Sequence, residues 1–110
     1  MYGNPQKRTA SGVQGLRREG GRWLKERREA LGLSQRQLAG RVGADYYTFI
    51  SQLETGRGRI PPDRYITWAT ALELEPRAFV WAVMRFYDPI TFAILFDATS
   101  PSNSDKLLLS

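Results

Sequence analysis

The chain has 110 residues, enough for one domain with terminal extensions, and its 42% hydrophobic and 25% charged residues are typical of a folded globular protein. It contains no cysteine and no histidine, which excludes disulfides, cysteine-based zinc sites and the commonest general base. No pair of carboxylates with catalytic spacing is apparent. We therefore expect a protein that is not an enzyme and that uses neither a metal nor a cofactor.

The formal net charge of +5 is unevenly distributed. Residues 1–59 carry 12 Lys and Arg against 5 Asp and Glu, whereas residues 60–110 carry 4 against 6. This asymmetry favours a nucleic-acid partner, although a soluble protein that is merely basic would have similar totals. The first 20 residues contain no apolar segment typical of a signal peptide, and Arg85, Asp88 and Pro89 interrupt the apolar segment 78–96. We expect a cytoplasmic protein without a membrane span.

Composition divides the chain into three parts. Residues 1–19 are polar and basic without periodicity, and we predict a flexible basic tail there. Residues 20–96 contain regularly spaced apolar residues and form the predicted folded domain, including a helical extension at its C-terminal end. Residues 97–110 are again polar and predict a second flexible tail.

Helix start and stop signals divide the central part. The segment GRWLKERREAL predicts a first helix over residues 21–31, ended by Gly32. Ser34 is suited to cap a second helix, QRQLAGRV, with Gln37 completing a capping box and with Leu38 and Val42 buried.

A third helix is predicted over residues 45–55, capped by Asp45 and with Tyr46, Ile50 and Leu53 forming its buried stripe. A fourth helix is predicted to begin at Pro61 and Pro62, and it buries Leu72 together with either Ile66 or Tyr65. Two further helices begin at the prolines of residues 76 and 89 and reach about residues 87 and 96. The sequence therefore predicts an all-α fold.

The motifs LSQRQLAGRVG and FISQLETG resemble the lambda-repressor-like helix-turn-helix family, also called the xenobiotic-response-element (XRE) family. The resemblance covers roughly residues 22–80 and implies a bundle of about five helices, to which the apolar C-terminal helix is added. The segment from Ala39 to Ile50 is one residue longer than the usual family spacing. The residues that match the family pattern are Leu33, Ser34, Gln35, Leu38, Ala39, Gly43, Ile50, Ser51, Glu54 and Gly56.

The resemblance implies double-stranded DNA as the partner, read in the major groove by the third helix. With the apolar stripe turned inward, five side chains lie on the outer face of that helix, and the alternative is an ordinary solvated face. Gln52 can pair with adenine, and Thr48 or Tyr47 can contact a thymine methyl group. No Lys or Arg lies on this face, so we expect weak guanine reading and an A/T-rich site. The outward side chains are Tyr47, Thr48, Ser51, Gln52 and Thr55.

Phosphate contacts are expected beside this helix. The family uses the position of Gln35 against the DNA backbone, and the alternative is a hydrogen bond within the protein. Arg57 and Arg59 lie in a glycine-rich loop from which cations can reach phosphates, unless the loop is only solvated. Glu54 is expected to pair with a first-helix arginine such as Arg28.

Two further surfaces are predicted. Arg17 and Arg18 could form an arm in the minor groove, although basic tails often lack that role. The apolar residues of segment 78–96 either complete the core or form a subunit interface, and we expect a mixture with a homodimer. The candidate interface residues are Phe86, Phe92, Leu95 and Phe96.

We therefore expect a dimeric, sequence-specific transcription regulator associated with the nucleoid. Two alternatives remain open. In the first, the protein is an antitoxin that represses its own promoter and binds a protein partner through its C-terminal segment. In the second, it is an architectural or recombination accessory protein that bends DNA.

Overall fold

Glycine and proline separate the helices of this chain, as the sequence predicts. The structure, a computed structural model, describes residues 5–96, and this part of the chain is helical without β-strands. A 3-10 turn at Pro62–Arg64 leads directly into the fourth helix. The prediction of an all-α fold is confirmed. The helices are α1 (Pro5–Ala30), α2 (Gln35–Val42), α3 (Thr48–Glu54), α4 (Tyr65–Ala71), α5 (Pro76–Tyr87) and α6 (Pro89–Phe96).

One hydrophobic core joins α1 to α5. In α4, Trp68 and Leu72 are buried and Ile66 is 69% exposed, so the stripe that includes Tyr65 is the inward one. Burying one large apolar side chain contributes about 1.5–3 kcal/mol, so this core fixes how α3 is oriented. The largest fully buried side chains are Leu24, Leu38, Ile50, Leu53, Ile60, Trp68, Leu72, Phe79 and Val83.

The predicted ends of α2 are confirmed. The Ser34 hydroxyl accepts a hydrogen bond from the Gln37 backbone N–H, and the Gln37 side chain accepts one from the Ser34 N–H, which completes the capping box. Gly43 ends the helix in the left-handed conformation, with φ of 74°. Both ends of the helix that precedes α3 are therefore sharply defined.

The first helix is much longer than the predicted range of residues 21–31. α1 begins at Pro5, so residues 5–19 are helical where the sequence predicted a flexible tail, and residues 1–4 lie outside the described part. Consecutive glycines have low helix propensity, which made residue 21 an apparent start. Tertiary contacts of Gly20 and Gly21 overcome that low propensity.

Those contacts are unusually close. A Cβ atom added at Gly21 would overlap the carbonyl oxygen of Glu54 at the end of α3, and one added at Gly20 would lie 2.8 Å from the Cβ atom of Phe86 in α5. From the other side, a Cβ atom at Gly56 would lie 2.9 Å from the Cα atom of Arg18. The absence of side chains at these positions lets α1 pack directly against the end of α3.

The start of α3 differs from the prediction. Asp45 does not cap it: the helix begins at Thr48, and Tyr47 occupies the N-cap position without a side-chain hydrogen bond. Tyr46, which we predicted to be buried, is 73% exposed. The additional residue between Gly43 and Ile50 lengthens the turn, so the chain enters α3 about one turn later and Tyr46 remains outside the core.

The last described helix, α6, has no buried residue. It packs on α5 through Phe92, whose ring centre lies 5.4 Å from that of Trp81, while the Phe96 ring centre lies 5.0 Å from that of Phe92 within α6 itself. Within residues 5–96, no helix is long and apolar enough to cross a membrane. The predicted tail over residues 97–110 lies outside the described residues.

Candidate nucleic-acid interface

Helix α3 has a polar face opposite its buried stripe. Ile50 and Leu53 are buried, whereas Thr48 and Gln52 are exposed and Ser51 is half-buried. Positions 48 and 52 are four residues apart, so both side chains lie on the same face of the helix. Three of the five predicted base-reading residues are therefore arranged together along α3.

A buried ion pair fixes the C-terminal end of α3, where Glu54 is the last residue. The Arg28 guanidinium donates to both carboxylate oxygens of Glu54, at 2.6 and 3.1 Å, and also to the Leu33 carbonyl at 2.7 Å. The hydrogen bond to Glu54 raises the pKa of Arg28 above its usual value. This confirms the predicted pairing of Glu54 with an arginine of the first helix.

Gln35 joins the same group of side chains. Its side-chain amide donates a hydrogen bond to Glu54 Oε1 at 3.1 Å, which links the first residue of α2 to the end of α3. The hydrogen bond within the protein that we considered as the alternative is therefore present. The bond fixes the orientation of the Gln35 amide beside the N-terminal end of α2.

The Thr55 hydroxyl is directed back toward its own helix. It lies 3.0 Å from the Ser51 carbonyl and 3.1 Å from the Gln52 carbonyl, within donating distance of both. Threonine near a helix end commonly forms this bond, which sequence periodicity does not reveal. The Thr55 hydroxyl is therefore hydrogen-bonded within the protein, and only the Thr55 methyl group is available for contact with a partner molecule.

The two arginines of the glycine-rich loop have different surroundings. The Arg57 side chain is exposed and makes no hydrogen bond or ion pair with the rest of residues 5–96. Arg59 instead donates to both Asp88 carboxylate oxygens, at 3.3 and 3.2 Å, and to the Tyr65 hydroxyl at 3.0 Å. Burial acts to lower the pKa of Arg59, but these hydrogen bonds outweigh it and raise that pKa. The contact of Arg57 with a phosphate therefore stays a prediction, whereas the side chain of Arg59 is already paired within the protein.

A contact that sequence periodicity missed lies beside the start of α3. The Arg36 guanidinium carbon is 4.8 Å from the centre of the Tyr47 ring, within the usual distance for a cation–π contact. Arg36 is the second residue of α2 and Tyr47 directly precedes α3, so the contact connects the two helices across their turn. In the sequence, this contact was indicated only by Tyr47, an aromatic residue in the turn between α2 and α3.

The helix-turn-helix family (HTH_3) has a model that matches residues 24–79, which is just over half of the chain. The chain belongs to the lambda-repressor-like helix-turn-helix family. Among solved structures, it is similar to the restriction-modification controller protein C.AhdI from Aeromonas hydrophila, with 35% identity and a TM-score of 0.52. The match covers 59% of this chain and 96% of the controller protein. No curated protein matched the chain.

The family and the fold make this chain a DNA-binding protein of the transcription-regulator class. In the helix-turn-helix, α2 is the first helix and α3 is the recognition helix. The predicted base-reading residues Thr48, Ser51 and Gln52 lie on the exposed side of that recognition helix.

The two arginines proposed as a minor-groove arm are parts of helix α1. The Arg17 guanidinium carbon lies 5.5 Å from the centre of the Tyr87 ring, and that of Arg59 lies 4.7 Å from the same ring. The backbone of Arg18 packs against Gly56. This is a correction to the expectation of a flexible arm, because packing of α1 on the helix-turn-helix holds both residues.

The four proposed interface residues fall into two groups. Phe86 is half-buried against Gly20, and Phe92 is half-buried between Trp81 and Phe96, so these two pack within the chain. Leu95 and Phe96 are 56% and 49% exposed at the end of α6. Three other large side chains that the sequence analysis did not single out are exposed near them, namely Trp81, Ile90 and Ile94.

Proposed function

We propose that this protein is a sequence-specific transcription regulator that reads the DNA major groove with α3 and binds DNA as a homodimer. The proposal is carried by the exposed polar face of α3, oriented by the buried Arg28–Glu54 pair and followed by Arg57. The solved relative is described as a controller protein, which supports a regulatory role. We assign the protein no catalytic activity.

Each side chain of the interface has a different task. Gln52 presents an amide that can pair with adenine N6 and N7, and the Thr48 methyl group or the Tyr47 ring contacts a thymine methyl group. Ser51 can hydrogen-bond to either kind of base. Arg57 contacts a phosphate and contributes affinity without sequence information. We leave Arg59 out of the interface because Asp88 and Tyr65 occupy its donors.

Gln35 keeps a double role in this proposal. Its bond to Glu54 leaves it at the first turn of α2, where backbone N–H groups face a DNA phosphate in helix-turn-helix proteins. The Gln35 side chain therefore both braces α3 and positions the end of α2 against the backbone.

The homodimer is supported by the apolar end of the molecule. Trp81, Ile90, Leu95 and Phe96 are all large and exposed on α5 and α6, and an exposed apolar patch of this kind is typical of a protein–protein interface. A two-fold axis through this surface would place two recognition helices on DNA. The half-sites of the resulting pseudo-palindrome would lie about 34 Å apart, one helical turn of B-DNA.

Selection of bound duplexes from a random-sequence DNA pool, followed by sequencing, tests the proposal. We expect one pseudo-palindromic motif. On that motif Gln52→Ala should lose about 1–3 kcal/mol of binding free energy, while binding to random duplex changes little. Gln14→Ala removes an exposed amide from α1 and is the matched control, which should leave both affinities unchanged. A pool that stays unenriched with the wild-type protein would refute sequence-specific binding.

The two alternatives predict other results. An antitoxin would co-purify with a small protein bound to the apolar end of α6, and removal of that protein would leave a toxic activity. An architectural protein would occupy DNA broadly and bend it strongly, with no enriched motif.

A further inference from the structure

We propose that Arg36 reads a guanine base and that Tyr47 holds the Arg36 guanidinium in the orientation for doing so. This inference rests on the proposed function and adds a specificity-determining residue that lies outside the recognition helix. It also changes the expected DNA site, which would contain a guanine in each half-site as well as A/T pairs.

The geometry comes from the position of Tyr47, which stands at the N-cap of α3, directly before the recognition helix. Its ring is 42% exposed, and the Arg36 guanidinium carbon lies 4.8 Å from the ring centre. The side chain of Arg36 thus reaches from α2 to the N-terminal end of α3, the part of a recognition helix that contacts base edges.

The chemistry comes from the shape of the guanidinium. It is planar and carries five N–H donors around its edge, so contact through one face leaves the donors available. Within residues 5–96, the Arg36 side chain makes no hydrogen bond or ion pair. Other arginines near the two helices donate to the protein itself, for example Arg41 to the Ala71 carbonyl and Arg64 to the Val42 carbonyl.

A guanine fits this arrangement better than a phosphate does. A phosphate contact needs only a cation within reach, and Arg57 in its glycine-rich loop supplies one. Two parallel hydrogen bonds to guanine O6 and N7 need the guanidinium plane to be fixed, and contact with an aromatic ring fixes it before binding. The outer face of α3 has no Lys or Arg of its own, so a guanine contact there must come from a neighbouring residue, and the Arg36 guanidinium lies over the ring of Tyr47 at the start of α3 with its donors unpaired within residues 5–96.

Arg36→Lys provides the sharpest test, because it keeps the charge and removes the planar pair of donors. Affinity is measured for the selected motif, for the motif with each guanine replaced in turn, and for random duplex. We expect Arg36→Lys to weaken binding to the selected motif about 5- to 150-fold for each half-site that loses its guanine contact. It should bind random duplex equally well and lose its preference at one base pair per half-site.

The proposed role of Tyr47 in orienting Arg36 is tested at the base pair that Arg36 reads. Tyr47→Phe keeps the ring and should keep the guanine preference, whereas Tyr47→Leu should weaken the preference at the base pair that Arg36 reads. The double substitution of Arg36→Lys and Tyr47→Leu should lose less than the sum of the two single losses at that base pair, since both act on one contact. Thermal melting verifies that the variants are folded.

Three results separate the possibilities. Equal losses for Arg36→Ala on selected and random DNA, with Arg36→Lys behaving as wild type, would make Arg36 a phosphate contact and overturn the inference. A selected motif whose guanines are unaffected by Arg36→Lys would also overturn it and leave the proposed function intact. Only a wild-type protein that selects no motif would remove the proposed function itself.

Discussion

The Arg28 guanidinium in α1 and the carboxylate of Glu54, the last residue of α3, form a buried ion pair, with Arg28 Nε 2.6 Å from Glu54 Oε2. Taking two charges out of water is costly, and the pair is favourable only because additional bonds from Gln35 and to the Leu33 carbonyl complete it. The orientation of α3, and with it the proposed DNA-reading face, therefore depends on a polar group inside an otherwise apolar core.

Removing one partner of this pair should destabilise the fold strongly. We expect Glu54→Ala to lower the free energy of unfolding by about 3–5 kcal/mol, because it leaves the Arg28 charge buried without its partner. Glu73→Ala is the control: it breaks the exposed ion pair between Arg41 and Glu73 and should cost less than about 1 kcal/mol. Urea unfolding followed by circular dichroism measures both, and similar losses in the two variants would contradict this account.

The contact between α1 and α3 should not tolerate a methyl group. Gly21→Ala places a Cβ atom against the Glu54 backbone, so we expect a loss of about 1–3 kcal/mol or more in the free energy of unfolding. Gly40→Ala is the opposite case, since nothing lies within 4 Å of its added Cβ atom, and it should stabilise α2 by about 0.5–1 kcal/mol. Thermal melting of the two variants should therefore shift in opposite directions.

Arg57 and Arg59 should differ in their effects on DNA binding. Arg57→Ala should weaken binding to all duplexes and lower the magnitude of the negative slope of log K against log salt by about 1 per protomer. Arg59→Ala should leave this slope unchanged and reduce stability instead, by roughly 1 kcal/mol, because its ion pair with Asp88 is only partly shielded from water. Salt titrations of binding distinguish the two, and a lower slope for Arg59→Ala would return that residue to the interface.

Substitutions in α6 should affect either dimerisation or folding, depending on whether the substituted side chain is exposed or packed. We expect Leu95→Lys to give a folded monomer that binds a single half-site weakly, because Leu95 is exposed on α6. Phe92→Lys should instead detach α6, because Phe92 packs between Trp81 and Phe96. Sedimentation measures the oligomeric state and circular dichroism measures helix content. A wild-type protein that sediments as a monomer, both free and on DNA, would disprove the dimer.

Local signals in the sequence predicted much of the helix-turn-helix. The capping box of Ser34 and Gln37 and the stripe of Ile50 and Leu53 follow from short-range rules and were correct. The pairing of Glu54 with Arg28 followed from the need to neutralise charges close to the core.

The errors arose where distant parts of the chain meet. The polar residues 1–19 lack apolar periodicity and therefore predict a start of α1 near residue 21, whereas the helix continues through Gly20 and Gly21, where α5 and α3 approach it closely. The role of Arg59 was missed because its partner Asp88 is 29 residues away. The exposure of Tyr46 depended on how the added turn residue is accommodated, which no periodic pattern specifies.

The ion pair between Arg59 and Asp88 joins the loop after the recognition helix to the residue directly before α6. Any shift of α6 that accompanies pairing of two protomers would pull on Asp88 and hence on this loop. Thermodynamic linkage makes such an effect reciprocal: the factor by which dimerisation tightens DNA binding equals the factor by which DNA tightens the dimer. In the proposed homodimer, occupancy of DNA would thus depend cooperatively on protein concentration, with the Arg59–Asp88 pair as the connection.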